Sequence, residues 1–324
     1  MKIGNKEIGT GRTFIILEAG MNHGGSVERA KELIKAASEA GADAIKFQTY
    51  TAEELVVKGT PRFWPRQEGE AGDDQYEAYD QIPKLPYEAY PELMKYADDL
   101  GIEFLSTPFG FESADFLNSI GMRAFKIASS DMSTLPFLRH IAKFGKPILL
   151  STGAATEEEV VKAVEVIEAE KCPVALLQCT LKYPTEEKDA NWDVMEIMKY
   201  LTDSQIIGVS DHTLGVFPSL VAIAHGAQIV EKHFTLDRNL KGNADHWLSI
   251  NPQEAKDLVL SARRIEKLLG SSEKKVLECE RETRLYDKRS VVSKVAIPPD
   301  TVITPEMLTF KRPGTGIWPN KIIG

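Results

Sequence analysis

The chain reads as an α/β protein, a (β/α)8 TIM barrel carrying a small all-β domain at its C-terminus. Three observations predict this. Eight short apolar runs recur along most of the 324 residues, and each turns polar or ionisable at its C-terminal end. Helix-like segments of the length that a parallel crossover needs separate most of them. Two of the polar ends carry histidine, at the face where barrel enzymes assemble their active sites.

The runs are, in order, Phe14–Gly20, Ala44–Tyr50, Glu103–Phe109, Ala124–Ser130, Pro147–Gly153, Val174–Thr180, Ile206–His212 and Ile229–Leu236. After the first, Ser26 is placed to cap a helix over Val27–Ala40, and Gly41 to stop it. Thr156 with Glu159 three residues on forms a capping box for the helix after the fifth run. A closing helix over Pro252–Leu269 should bury Leu258, Val259, Ile265 and Leu268 and end at Gly270.

Two segments break the rhythm. Thr51–Leu85 is a long insertion rich in Pro, Gly and acidic residues, with Phe63, Trp64, Tyr76 and Tyr79. Leaving the presumed catalytic face, it reads as a lid whose aromatic rings could stack on a sugar. Residues 271–287 are charged and read as a helical linker, which bounds the barrel domain at residues 1–270. From Lys288 the texture changes to β-branched runs and Pro/Gly turns, a cap over 288–324 too small to hold a core alone.

Composition narrows the function. With 43% hydrophobic residues, the chain can bury one large core. It lacks a long apolar run or a basic-then-apolar leader, so membrane and secreted readings have little support. A net charge of −9 without a basic stripe argues against nucleic acid. Three cysteines, Cys172, Cys179 and Cys279, are odd in number and lack metal spacing, as suits reduced thiols in a cytoplasm. Cys179 ends the sixth run and reads as a buried, inert thiol.

Period-two alternation decides what points inward. Ser210 and His212 share one side of the seventh strand, Glu231 and His233 one side of the eighth. His212 and His233 therefore neighbour one another and suit a divalent metal, with open positions left to water and substrate. On the opposite arc Glu18, Lys46, Lys126, Ser129 and Ser151 offer a carboxylate, two ammonium groups and two hydroxyls, the groups that bind phosphate and carboxylate. Lys46 and Lys126 sit inside strands, so each either pairs with a carboxylate or awaits an anionic ligand; their shared side favours the ligand. Glu18 could act as a base or merely neutralise Lys46. No dinucleotide, P-loop or nucleophile-elbow motif occurs.

The ordered series EAGMNHGG, GADAIKFQTY, STPF, KIASSD, STGAAT, QCTLKYP, SDHT, EKHFTLD, DHWLS and KRPGTGI resembles the sialic acid synthase family over residues 14–324. The resemblance implies a nonulosonic acid synthase: a transferase that condenses phosphoenolpyruvate with an N-acetylated hexosamine such as N-acetylmannosamine, releasing phosphate. It further implies a barrel with an antifreeze-like (SAF) domain, a domain-swapped homodimer in the cytoplasm, and a divalent cofactor, Mn2+ or Mg2+. Carried over by position, His212 and His233 would hold the metal. Lys46, Thr107, Lys126, Ser129, Ser151 and Ser210 would hold phosphoenolpyruvate, with Glu18 beside the reacting carbons. Asp131, Tyr183 and Asp245 would meet the sugar, and Arg312 would reach its N-acyl group in the neighbouring site. Leu181, where the family carries a polar residue, and Asp131, where some members carry Glu, leave the sugar's identity open. The cap is expected to be truncated at Gly324. Two rival readings are a Schiff-base aldolase using Lys126 or Lys46, and a non-enzymatic carbohydrate-binding protein.

Overall fold

A computed structural model describes residues 1–64, 66, 72–241 and 245–322. The chain divides into two compact units, Met1–Leu269 and Gly270–Gly324.

The first unit is built on eight parallel strands: β1 Phe14–Gly20, β2 Ala44–Thr49, β3 Glu103–Pro108, β4 Phe125–Ile127, β5 Ile148–Ser151, β6 Val174–Cys179, β7 Ile207–Asp211 and β8 Ile229–His233. They run β3-β2-β1-β8-β7-β6-β5-β4 around a nearly closed barrel, with ladder hydrogen bonds between all neighbours except β3 and β4. The fourth run is shorter than expected because the backbone leaves extended geometry at Ser129 and turns into a 3-10 helix, Ser129–Asp131.

Alternation along the strands builds two apolar layers. Outward residues such as Ile15, Leu17, Ile45, Phe47, Leu150 and Val230 pack with the helices. Inward residues Phe14, Ile16, Ala44, Leu105, Leu149, Leu177 and Ile229 fill the lumen. An antiparallel hairpin, Lys2–Ile3 with Lys6–Glu7, adds Ile3 to this inner cluster, which also takes in Ile8 just beyond it. Two residues beyond the apolar level the inward positions become Glu18, Lys46, Thr107, Lys126 and Ser151. The sequence thus stacks a dry plug beneath a polar floor, as a barrel site requires.

The helices follow their signals. In α1, Val27–Ala40, the Ser26 hydroxyl accepts from the Arg29 amide, and Gly41 takes φ 82° as the left-handed stop. Thr156 and Glu159 cap α2, Glu157–Glu168, reciprocally. Helix α3, Pro252–Leu269, buries Ala255, Leu258, Val259 and Ala262. Ile265 is only half-buried, and Leu268, expected inside, is 83% exposed because the last turn runs past the final buried position. The lid is less structureless than expected: it holds short helices Ala52–Leu55 and Gln75–Gln81 and a bridge between Pro61 and Asp74.

The second unit contains an antiparallel ribbon, Ser290–Ser293 with Leu308–Lys311. The stretch expected as a linker forms a 3-10 turn, Glu278–Glu280, and a helix, Arg281–Asp287. That helix is held to the ribbon end: Gly314 N–H donates to the Leu285 carbonyl at 2.8 Å, and the Arg284 guanidinium lies 4.4 Å from the Trp318 ring centre. It therefore belongs to this unit, as a two-stranded ribbon needs such cover. Among the described residues, no helix is long and apolar enough to cross a membrane.

Candidate active site

A cavity of about 890 Å³ opens at the C-terminal ends of the strands, roofed by the lid. Its floor is a quartet of buried charges. Lys46 donates to Thr107 Oγ1 at 2.8 Å and lies 2.5 Å from Glu18 Oε2 and 3.8 Å from Glu231 Oε2. Lys126 donates to Ser151 Oγ at 2.6 Å and the Ile127 carbonyl at 3.0 Å, with Glu231 Oε1 3.9 Å away. Ser210 donates to that same carboxylate oxygen at 3.1 Å, and Gln48 donates to Glu18 at 3.0 Å. Two ammonium groups and two carboxylates balance without any ligand, which makes so many buried charges tolerable.

The environments split the two acids. Burial, reinforced by Glu231 and partly offset by Lys46, pushes Glu18 up to about 7. Against the same burial, Lys126, Lys46 and the Ser210 hydroxyl hold Glu231 below the ordinary carboxylate range. Two carboxyls pushed apart in this way are the pattern of an acid/base and a fixed counter-charge. Burial also lowers Lys126.

Beside this floor stand the two histidines, ring centres 5.4 Å apart. His212 Nδ1 donates to the Thr180 carbonyl at 3.0 Å, the tautomer that leaves Nε2 as an acceptor. Burial, then the positive groups nearby, pushes His233 far down, so it is a neutral imidazole. Its Nδ1 is buried without a hydrogen bond, the Asp245 carboxylate lying 3.6 Å away. Tyr183 stacks on His212 at 4.0 Å and meets His233 edge-on at 5.8 Å. Among the described residues, no group of three or more His, Cys, Asp and Glu is arranged to hold a metal. The pair nevertheless fits an ion that takes the rest of its shell from water and substrate: both imidazoles can present a lone pair.

Behind the histidines, on the outward face of β7 and β8, lies a second buried ion pair. Lys232 is 2.9 Å from Asp211 Oδ2 and donates to the Thr213 carbonyl at 2.5 Å. Asp211 also accepts from Thr213 N at 2.8 Å, Thr213 Oγ1 at 2.7 Å and Ser219 Oγ at 2.5 Å. This staple joins the residues that immediately precede His212 and His233.

The profile of the NeuB family matches residues 33–274. The chain belongs to the NeuB family. Over 309 residues this NeuB-family chain is 38% identical to the N,N'-diacetyllegionaminic acid synthase of Campylobacter jejuni, covering 94% of this chain and 92% of that protein. It is 35% identical to the N-acetylneuraminate-9-phosphate synthase of Mus musculus, over 92% and 82% of the two chains. The crystal structure of N-acetylneuraminic acid (sialic acid) synthetase from Leptospira borgpetersenii, in complex with citrate, superposes with a TM-score of 0.77 at 35% identity, covering 87% of this chain and 94% of that one. Its relatives are thus nonulosonic acid synthases, and it is an enzyme of that family.

Of the residues singled out in the sequence, Glu18, Lys46, Thr107, Lys126, Ser129, Ser151, Tyr183, Ser210, His212, His233 and Asp245 all line the one cavity. Asp131 does not. It sits on the 3-10 turn beside the rim, accepting from Ser130 at 3.3 Å, and burial raises its carboxyl to about 6. Arg312 lies in the second unit, ion-paired with Asp287. The expectation that the lysines await a ligand understates their pairing, because Glu231 was read only as the strand neighbour of His233. Cys179 is buried as expected, yet it lines the cavity with its sulfur 3.8 Å from His212 Nδ1.

Proposed function

We propose that this chain is a nonulosonic acid synthase that joins phosphoenolpyruvate to the open-chain aldehyde of an N-acylated hexosamine and releases phosphate. The observation that carries the reading is the charge quartet on the floor, set beside the paired imidazoles of His212 and His233 in one cavity. Lys46, Lys126 and the hydroxyls of Thr107, Ser129, Ser151 and Ser210 supply donors for a phosphate and a carboxylate. C3 of the enol attacks the aldehyde carbon, water adds at C2, and phosphate leaves with C–O cleavage, giving the 2-keto acid. Glu18, held near 7, is suited to take the proton of that water. Glu231 stays ionised and keeps both lysines in place. His212 and His233 would hold a divalent ion, Mn2+ or Mg2+, which supplies Lewis-acid polarisation of the aldehyde oxygen. Tyr183 and Asp245, beside the histidines, would position the sugar chain, with Asp131 at the rim.

We read the second unit as an antifreeze-like cap of the SAF type and the enzyme as a homodimer in which Arg312 reaches the partner's sugar. Its present ion pair with Asp287 is half-exposed, so little is lost in exchanging it for a substrate. One observation favours a second reading: a buried lysine pushed down, as Lys126 is, can serve as a Schiff-base nucleophile.

Phosphate release from phosphoenolpyruvate across a panel of amino sugars, with and without chelator, tests the proposal. Sugar-dependent release that chelation abolishes and Mn2+ restores is expected. No phosphate release, with borohydride trapping of a keto substrate at Lys126 and cleavage or condensation of that substrate that survives chelation, would establish the aldolase instead.

A further inference from the structure

A carboxylate ties the root of the lid to the neighbouring strand end. The lid's first turn, Ala52–Leu55, is capped by Thr51, whose hydroxyl accepts from Glu54 N–H at 3.2 Å. Thr51 and Glu54 have the spacing of a capping box, in which the glutamate turns back to the threonine amide. Here it reaches outward instead. Glu54 Oε1 accepts from Glu112 N–H at 3.1 Å and Ser113 N–H at 3.2 Å, in the first turn of the helix after β3, Phe111–Ser119. That helix has Gly110 at its N-cap, with no side chain to offer, and makes only half a box of its own, Gly110 N–H donating to Ser113 Oγ at 3.1 Å. Glu54 supplies the other half from a different segment, with its charge at the positive end of the helix dipole.

Two features mark this contact as built into the fold. A Cβ added to Gly110 would lie 2.3 Å from Glu54 Oε1 and 2.8 Å from Glu54 Cβ, although its φ of −167° is extended backbone open to any residue. The glycine is therefore needed for the approach of Glu54 and not for the turn. The second carboxylate oxygen, Oε2, is buried without a hydrogen bond, a cost that an untethered glutamate would escape by turning to water. A local rule broken at such a cost points to a gain elsewhere. The gain lies at the cavity, where Leu55 from the lid root and Phe109 from the end of β3 form one wall with Tyr50, whose ring meets Phe109 at 5.9 Å. The floor does not depend on the clamp. Thr107, the acceptor for Lys46, is held by the β2–β3 ladder, which continues to Thr49 and Pro108.

We propose that Glu54 is a positioning residue for the sugar. By capping helix Phe111–Ser119 from the lid, it fixes the wall of Tyr50, Leu55 and Phe109, while the anion-binding floor stands without it. What the wall receives rests on the synthase reading; the clamp itself does not.

The test uses two variants that break the clamp from opposite sides. Glu54→Ala removes the carboxylate, and Gly110→Ala leaves it in the chain but fills its seat. In phosphate release with the amino sugar of highest turnover, each should raise the KM for the sugar about fivefold, as loss of a helix cap allows. The KM for phosphoenolpyruvate should stay within about twofold. The double variant should be no worse than Glu54→Ala alone, because the space that the new methyl needs has been vacated. Glu54→Gln, which keeps an acceptor oxygen, should bring the sugar KM back to within about twofold of wild type. Trypsin should cut after Lys58 several times faster in Glu54→Ala and Gly110→Ala than in wild type. If Glu54→Ala fails to fold, Glu54→Asp, a methylene too short to reach, replaces it. An unchanged sugar KM, an equal rise in both KM values, or a further loss in the double variant overturns the inference, even where Tm falls. If wild type releases no phosphate with any sugar, the synthase reading falls and the trypsin rates alone decide the clamp: faster cutting upholds it and equal rates overturn it.

Discussion

Cutting the staple behind the histidines should have unequal consequences depending on which end is removed. Asp211→Ala leaves the Lys232 ammonium, 1% exposed, with only the Thr213 carbonyl and hydroxyl, and strips the acceptor from Thr213 N–H, Thr213 Oγ1 and Ser219 Oγ. Breaking a buried pair so that a charge is stranded costs about 3–5 kcal/mol. Lys232→Met leaves a carboxylate that still accepts three hydrogen bonds, so the main loss is the charge-assisted contact, about 1.5–3 kcal/mol, together with the donations to the Thr213 carbonyl and hydroxyl. For a barrel of this size the larger loss corresponds to a fall in Tm of roughly 10 °C. Urea and thermal unfolding of the two single variants and of Asp211→Ala/Lys232→Met give the comparison. Asp211→Ala should be the less stable of the two singles, and the double variant should lose less than their sum. The affinity for a divalent ion should fall in the same order, because the pair holds the strand ends that carry His212 and His233. Equal losses, or a greater loss for Lys232→Met, would refute the view that the hydroxyls and amide around Asp211 sustain its charge.

Three further outcomes follow from the cavity. Lys126→Met deletes the ammonium that meets Ser151 at 2.6 Å, and should raise the KM for phosphoenolpyruvate about ten- to hundredfold; an unchanged KM places the anion elsewhere. Glu18 is raised from 4.5 to about 7, so the folded chain holds its proton more tightly than the unfolded chain. Its contribution to stability is therefore complete below pH 4.5 and is lost as the pH rises through about 7. Plotted against pH, the stability of wild type relative to Glu18→Gln should fall across that window and level off above it, and a flat or rising curve counts against the assignment. Finally, His233→Ala and Arg312→Ala should each be nearly inactive, and exchange of their subunits should restore activity. Exchange without recovery would show that Arg312 serves its own chain or none.

What the sequence made legible, and what it withheld, divides along one physical line. Alternation tells which side of a strand a residue takes, and the polar ends tell which mouth of the barrel is used. Phe14, Ile16 and Glu18, or Leu149 and Ser151, could thus be read as plug and floor before any coordinates. Alternation does not tell how staggered strands align across the lumen. Lys126 on β4 has as its nearest carboxylate Glu231 on β8, four strands away around the sheet, a relation fixed by barrel closure rather than by spacing. Parity also fails where the strand ends early. Asp131 would share a side with Ser129 in an extended chain, but the 3-10 turn carries it out of the cavity wall. The staple did leave a trace, since Asp211 and Lys232 are the charged residues beside the two histidines. Both face the helix layer, where an apolar side chain is the rule, and they stand opposite one another in the ladder. Opposite charges at matched outward positions on neighbouring strands can only be afforded as a pair, so that pattern was readable as a support for the histidines.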